Sequence, residues 1–285
     1  MTETIRNPIE WGADQARLTA RLARAAVGDD ARDPDVGALA VRRIGVADLR
    51  EVLAQGWRDF VENRTDVLFL CIIYPLAGLL IARLAFSSNL LPLVFPFVSG
   101  FAIVGPFAAS GLYELSRLRE RGEPATWSSA FGVFASPSIA AIIKLALVMT
   151  GLFVLWLAAA YAIFALTLGP DEPASASTFV SDVLHTRAGW AMILVGGGVG
   201  FLFALLALSI SVVSFPLLLD RRVSITTAVR TSLRAVAENP VPMLAWGLVV
   251  ATLLVLGTIP ALAGLIVAMP VLGHATWHLY RKVVV

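Results

Sequence analysis

A single cysteine, Cys71, stands in the chain, so no intramolecular disulfide and no cysteine metal cluster can form. Histidine is almost as scarce, with only His185, His274 and His278. Charge is thin as well. Asp, Glu, Lys and Arg make up 15% of the residues, where a soluble domain carries about 25%. The apolar middles contain no acidic relay, which argues against a proton-driven pump. No apolar signal segment lies in the first forty residues, where Arg6, Arg17, Arg21, Arg24 and Arg32 alternate with acids. The first hydrophobic span is then expected to serve as the insertion signal.

What the chain has in abundance is apolar sequence, 58% of its residues, in long runs that soluble folds avoid. A membrane helix needs about 20 such residues to cross the hydrocarbon. Six runs qualify: 67–86, broken by Pro75, then 90–112, 138–166, 188–219, 243–259 and 261–280, the last two joined at Pro260. The third and fourth are long enough to require tilt or extension past the surface. The expected fold is all-α: a polytopic bundle over 41–285 with a polar tail at 1–40.

Arginine sets the expected orientation, because Lys and Arg accumulate on cytoplasmic loops. Arg117, Arg119 and Arg121 follow the second span; Arg221, Arg222, Arg230 and Arg234 follow the fourth; Arg281 and Lys282 close the chain. Only Arg83 and Arg187 fall on the other side, and Lys144 can snorkel to the basic side. Both termini are therefore expected in the cytoplasm, and the loop 167–187 outside.

Two stretches align without a gap. In 49–63, Leu49, Val52, Leu53, Trp57, Phe60 and Val61 recur at helical spacing. In 225–239 their places are taken by Ile225, Ala228, Val229, Leu233, Val236 and Ala237. The pairs Glu62-Asn63 and Glu238-Asn239 close them. Trp127, Ala130, Phe131 and Phe134 supply a shorter middle face ended by Pro137. Each stretch precedes a span out and a span back, so a pseudo-threefold repeat of helix pairs with amphipathic helices on the cytoplasmic face is expected. The amphipathic segments are read as lying in the interface, Trp57 and Trp127 at headgroup level and Arg58 and Arg234 toward phosphate. Asp48 is read as the N-cap of the first of them. Gly105-Pro106, Pro216 and Pro270 are expected to kink the returning spans. Ser209, Ser211 and Ser214 are placed to satisfy carbonyls freed at the kink near Pro216.

Candidate chemistry is sparse. His274 and His278 share a helix face at i and i+4, the spacing of a metal pair. A metalloprotease helix carries glutamate after the first histidine, and Ala275 stands there. Both rings are therefore read as lying near the inner interface. Glu114, three residues before Arg117, reads as an ordinary helical ion pair. Gly196-Gly197-Gly198 with Gly200 follows no strand and reads as a close helix contact rather than a nucleotide loop. No serine, histidine and acid constellation points to a hydrolase.

Gly105-Pro106-Phe-Ala-Ala-Ser-Gly111-Leu-Tyr113-Glu114-Leu-Ser116-Arg117, with the Trp57-Arg58 segment and Trp127-Ser-Ser-Ala-Phe131, resembles the domain of unknown function 2189 family over roughly 41–285. These are predicted bacterial integral membrane proteins. The resemblance implies neither an activity nor functional residues. The expectation is a non-enzymatic scaffold, adaptor or lipid-interacting protein without cofactor. Its partners would be membrane lipids, anionic ones included, and an unidentified membrane protein, with no nucleic acid. A transporter or channel for a small or amphipathic solute is the alternative.

Overall fold

The computed structural model describes residues 39–62, 76, 78–79, 83, 91–169, 173, 175–260 and 262–285. The expected tail, most of the first span with Cys71 and Pro75, and Asn63 lie outside the described residues. The described chain is helical: α1 (Val46–Glu62), α2 (Val94–Ser99), α3 (Phe101–Ala108), α4 (Ser110–Glu120), α5 (Ile139–Thr167), α6 (Ala176–His185), α7 (Arg187–Ser211), α8 (Ser214–Asp220), α9 (Ile225–Glu238), α10 (Pro240–Thr258) and α11 (Leu265–Val283). Short 3-10 helices cover Leu91–Leu93 and Trp127–Ala135.

Three helical units are long and apolar enough to cross a membrane: α5, the 34-residue run from Arg187 to Asp220, and α10. The segment 91–108 makes a fourth if its two halves, bent by 44°, count as one crossing. α5, α7 and α10 turn bulky apolar side chains outward, among them Leu155, Leu194, Phe201 and Leu248. Lipid is the solvent that accepts such faces.

α11 is different. Its residues from Ala268 through Ala275 are buried without a break, as are Trp277, Leu279 and Tyr280. It is the central post on which α1, α4 and α10 pack. α1 crosses it at Gly56, where a Cβ would stand 2.7 Å from both the Cβ and the backbone N of Ala275 and 2.8 Å from the carbonyl of Val271. Only a hydrogen on residue 56 permits that approach. Gly273 admits the side chain of Leu112 from α4 in the same way, its virtual Cβ lying 2.5 Å from Leu112 Cδ1.

Local chemistry accounts for most helix ends. Ser175, Thr186 and Ser224 cap α6, α7 and α9, accepting from the backbone N–H of Thr178, Gly189 and Thr227. Pro240 opens α10 at the first-turn position where its missing N–H costs nothing. Asp48 lies inside α1 rather than at its cap, and its carboxylate reaches back to accept from Gly45 N at 2.7 Å. The middle amphipathic face is a 3-10 helix rather than an α-helix. Pro137 follows closely and leaves no room for a longer turn. The loop expected at 167–187 contains α6. The helical path breaks at Val212–Val213, just before Pro216, which has no N–H to give the Val212 carbonyl. Ser209, Ser211 and Ser214 donate instead to the carbonyls of Leu205, Ala207 and Ile210. Pro106 and Pro270 lie within α3 and α11. In the glycine run, Gly200 meets the Trp156 ring, whereas Gly196, Gly197 and Gly198 form no close helix contact among the described residues.

Both described ends of the chain meet. Arg42 N donates to Val283 O at 2.8 Å, and Val285 N donates to Ala40 O at 3.1 Å. Asn239 fastens this strap from the α9–α10 junction. Its Oδ1 accepts from Ile44 N at 2.7 Å, and its Nδ2 donates to the carbonyls of Arg42 and Ala235.

Candidate functional site

At the end of the bundle that holds this strap, polar side chains from α1, α4 and α11 converge on Asp59. The carboxylate sits on the stripe that buries Val52, Gly56 and Phe60, so it is carried inward with them. Ser116 donates to Asp59 Oδ2 at 2.7 Å, and the same hydroxyl lies 2.7 Å from His274 Nδ1. His278 Nε2 is 2.9 Å from Asp59 Oδ2. Arg119 reaches Asp59 Oδ1 at 3.3 Å and also pairs with Glu62. Burial presses the Asp59 carboxyl toward protonation. Hydrogen bonds from His278 and Ser116 and the nearby imidazoles outweigh it and hold the pKa below the ordinary carboxylate value.

The sequence pattern gave no sign of a serine, histidine and acid constellation, yet Ser116, His274 and Asp59 now touch. The wiring is not that of a hydrolase. Ser116 spends its proton on Asp59, so the imidazole that approaches Oγ donates through Nδ1 and takes no proton. Ser116 is also buried, and His274 is fully enclosed with its Nε2 lacking a hydrogen-bond partner among the described residues. His274 is buried in the core, and one turn on His278 borders a cleft of about 510 Å³. Among the described residues, no group of three or more His, Cys, Asp or Glu side chains is placed to hold a metal ion.

A second layer of ion pairs surrounds the cleft. Arg281 bridges Glu120 at 2.9 Å and Asp220 at 3.5 Å. Asp220 also accepts from Tyr280 OH at 2.7 Å and faces Arg121 and Arg221 at 3.8 and 3.9 Å. Trp277 Nε1 donates to Glu120, and Lys282 pairs with Asp48 and Glu51. Arg117 holds the buried Glu114 in a fork at 2.8 and 2.6 Å, the expected helical pair. Arg234 pairs with Glu238 at 2.5 Å. Arg58 and Arg222 are exposed, and the ring of Trp57 is half-exposed. Arg121, Arg221 and Arg281 thus share Asp220, while Arg117, Arg119 and Arg234 hold carboxylates of their own. The sequence marked these arginines and the Glu114 partner of Arg117, but not Asp59 or Asp220.

Deeper in the bundle lies a cavity of about 500 Å³ with almost wholly apolar walls. Gly105 and Pro106 of α3, Leu205 and Ser211 of α7, Gly247 of α10 and Gly273 of α11 contribute to it. Small residues where the four helices face one another leave the space.

One side of this cavity, built by α3, α4 and α7, falls in the part of the chain that a family model matches, while α10 and α11 supply the other side. Residues 94–220 match DUF2189, a family described as predicted integral membrane proteins. The DUF2189 region begins with α2 and ends with α8. It is narrower than the stretch whose motifs resemble the family. It contains Ser116, Arg117 and Arg119, while Asp59, His274 and His278 come from the flanking segments. No curated protein and no solved structure matches the chain.

Proposed function

We propose that this integral membrane protein is a non-enzymatic, lipid-interacting scaffold or adaptor of the bacterial inner membrane. The apolar cavity carries this reading. About 500 Å³ of space with hardly a polar wall suits hydrocarbon and offers little to a hydrated ion or sugar. The partners are membrane lipids, anionic ones among them, and a membrane protein seated on the apolar outer faces. No cofactor and no catalytic residue enters this reading. Mass spectrometry of the chain purified in mild detergent is expected to show retained phospholipid. A preparation free of lipid, yet folded, contradicts the proposal.

The chain is inferred to cross six times, with 67–86 as the first crossing and α11 as the last. The pairing of the strap at 39–45 with residues 283–285 supports an even number. The arginine network at that end supports its placement in the cytoplasm. Reporters fused before Met1 and after Val285 are expected to be active in the cytoplasm alike; opposite compartments exclude this topology. A pseudo-repeat underlies the arrangement. Buried Val52, Gly56 and Asp59 of α1 fall in register with buried Ala228, Ser232 and Ala235 of α9. Exposed Trp57 likewise matches exposed Leu233.

The second reading, a transporter for a small amphipathic solute, draws on the breaks at Gly100 and Val212–Val213 in two helices that wall the cavity. Uptake of a fluorescent amphiphile into vesicles containing the protein, above empty vesicles, favours it.

A further inference from the structure

A third opening, about 280 Å³, lies at the same end of the bundle, between the 3-10 helix, the start of α5 and the end of α8. Arg117, Arg221 and Arg222 line it, together with Ser136 and Ser138. The one acid in its wall, Asp220, is shared among Tyr280, Arg281, Arg121 and Arg221. Arg117 is held rigid by Glu114 and by the carbonyl of Leu219, which its Nη1 approaches at 3.4 Å. Arg221 is fixed by Val285 O at 3.3 Å. Arg222 is exposed. Three guanidinium groups thus surround a hollow whose lining carries a surplus of positive charge.

A second, independent observation bears on what fills it. The 3-10 helix that forms one wall has three residues per turn, so Phe131 and Phe134 share a face beside the one bearing Gly132 and Ala135, which line the hollow. The two rings are stacked, centroids 6.3 Å apart, and stand 49% and 44% exposed. Bulky aromatics held outward next to arginine, one turn before a long apolar helix, are the arrangement of a headgroup-level surface. Rings seated at the acyl boundary would bring neighbouring arginines to the depth of the phosphates.

We infer that the cleft formed by Arg117, Arg221 and Arg222 binds the phosphate of an anionic phospholipid headgroup from the leaflet in which Phe131 and Phe134 are embedded. This deepens the lipid-interacting reading and rests on it, adding a stoichiometric site that is separate from the apolar cavity. Guanidinium donors match phosphate oxygens in fork geometry. The uncapped amino end of the 29-residue α5, whose Ser138 makes no side-chain cap bond, adds favourable potential at one side.

The test uses the full chain in nanodiscs of phosphatidylcholine, with phosphatidylglycerol titrated in and retained lipid counted by native mass spectrometry after gentle release. One phosphatidylglycerol is expected to stay bound. Near an anionic surface an arginine contributes enough for a loss of about fivefold in affinity on its removal. Arg222→Gln, at an exposed position, is expected to show that loss, and the pair Arg221→Gln with Arg222→Gln about 30-fold. Arg234→Gln, outside the cleft, is expected to bind as the parent does. Inorganic phosphate at millimolar concentration is expected neither to compete nor to stabilise. Unchanged lipid retention in the Arg222→Gln protein and the double variant, or an equal loss in Arg234→Gln, overturns the site. Competition by free phosphate overturns the lipid as its occupant. Lipid retained by the double variant in the apolar cavity, counted with phosphatidylcholine alone, leaves the scaffold reading standing while the cleft fails.

Discussion

Gly56→Leu is expected to yield no stably folded protein, and Gly56→Ala a clearly weakened one. The Cβ of alanine already falls 2.7 Å from the backbone N of Ala275 and 2.8 Å from the carbonyl of Val271, and neither is the yielding tip of a side chain. α1 must lift from α11 to make room. Alanine gains about 1 kcal/mol of helix propensity over glycine, but overpacking costs typically about 1–3 kcal/mol, and backbone contact places this site at the upper end. The net loss is then about 1–2 kcal/mol for alanine, and larger still for leucine, whose branched side chain has no space. Apparent melting in detergent measures it. Gly198→Ala is the matched control, because nothing lies within 4 Å of its virtual Cβ. That variant should melt at or above the parent's temperature, and an equal fall in both would place the effect outside the α1–α11 crossing.

Asp59→Leu should be as damaging for a different reason. It leaves Arg119, His278 and the hydroxyl of Ser116 facing an apolar group. Removing one partner of a buried charge cluster costs about 3–5 kcal/mol, mostly as the penalty for those left behind. Changing Asp59 and His278 together to leucine should cost less than the sum of the two single changes, since the orphaned partner goes too. Strict additivity in that double-mutant cycle would show that the two side chains do not share an interaction. Acid provides a second readout. The folded Asp59 carboxyl titrates below its unfolded value of 3.8, so its contribution is complete above 3.8 and is lost as pH falls through the folded pKa. The stability difference between parent and Asp59→Asn should therefore narrow on acidification below pH 3.8 and hold steady above it.

Gly56 and Asp59 also show what could and could not be read in the chain. The spacing of Leu49, Val52 and Phe60 gave the buried face of α1 directly. Gly56 and Asp59 lie on that same stripe, at i+4 and i+7 from Val52, and a carboxylate on an apolar stripe is itself a signal that a partner waits across it. Which partner was not legible, because Ser116, His274 and His278 belong to helices brought near only by tertiary packing. α5, the run from α7 to α8, and α10 followed from hydropathy alone, since lipid selects composition residue by residue. α11 reads as apolar by the same measure, but only packing reveals that it is enclosed by protein. The 3-10 form of Trp127–Ala135 and the helix α6 turned on local caps and a proline, which composition does not register. The arginine-rich loops were legible as such, while Asp59 and Asp220, which meet Arg119 and Arg121, come from distant segments.

The crossing of α1 on α11 joins two helices that lie more than 200 residues apart in the chain. At roughly 5–20 residues per second, α1 waits on the order of ten to forty seconds for the surface it will cover. Throughout that interval Leu49, Val52 and Phe60 need another shelter, and the nearby bilayer surface offers one to a helix with one oily side. Closure of α1 over α11 is therefore a late event in folding, because its two faces are synthesised far apart in time.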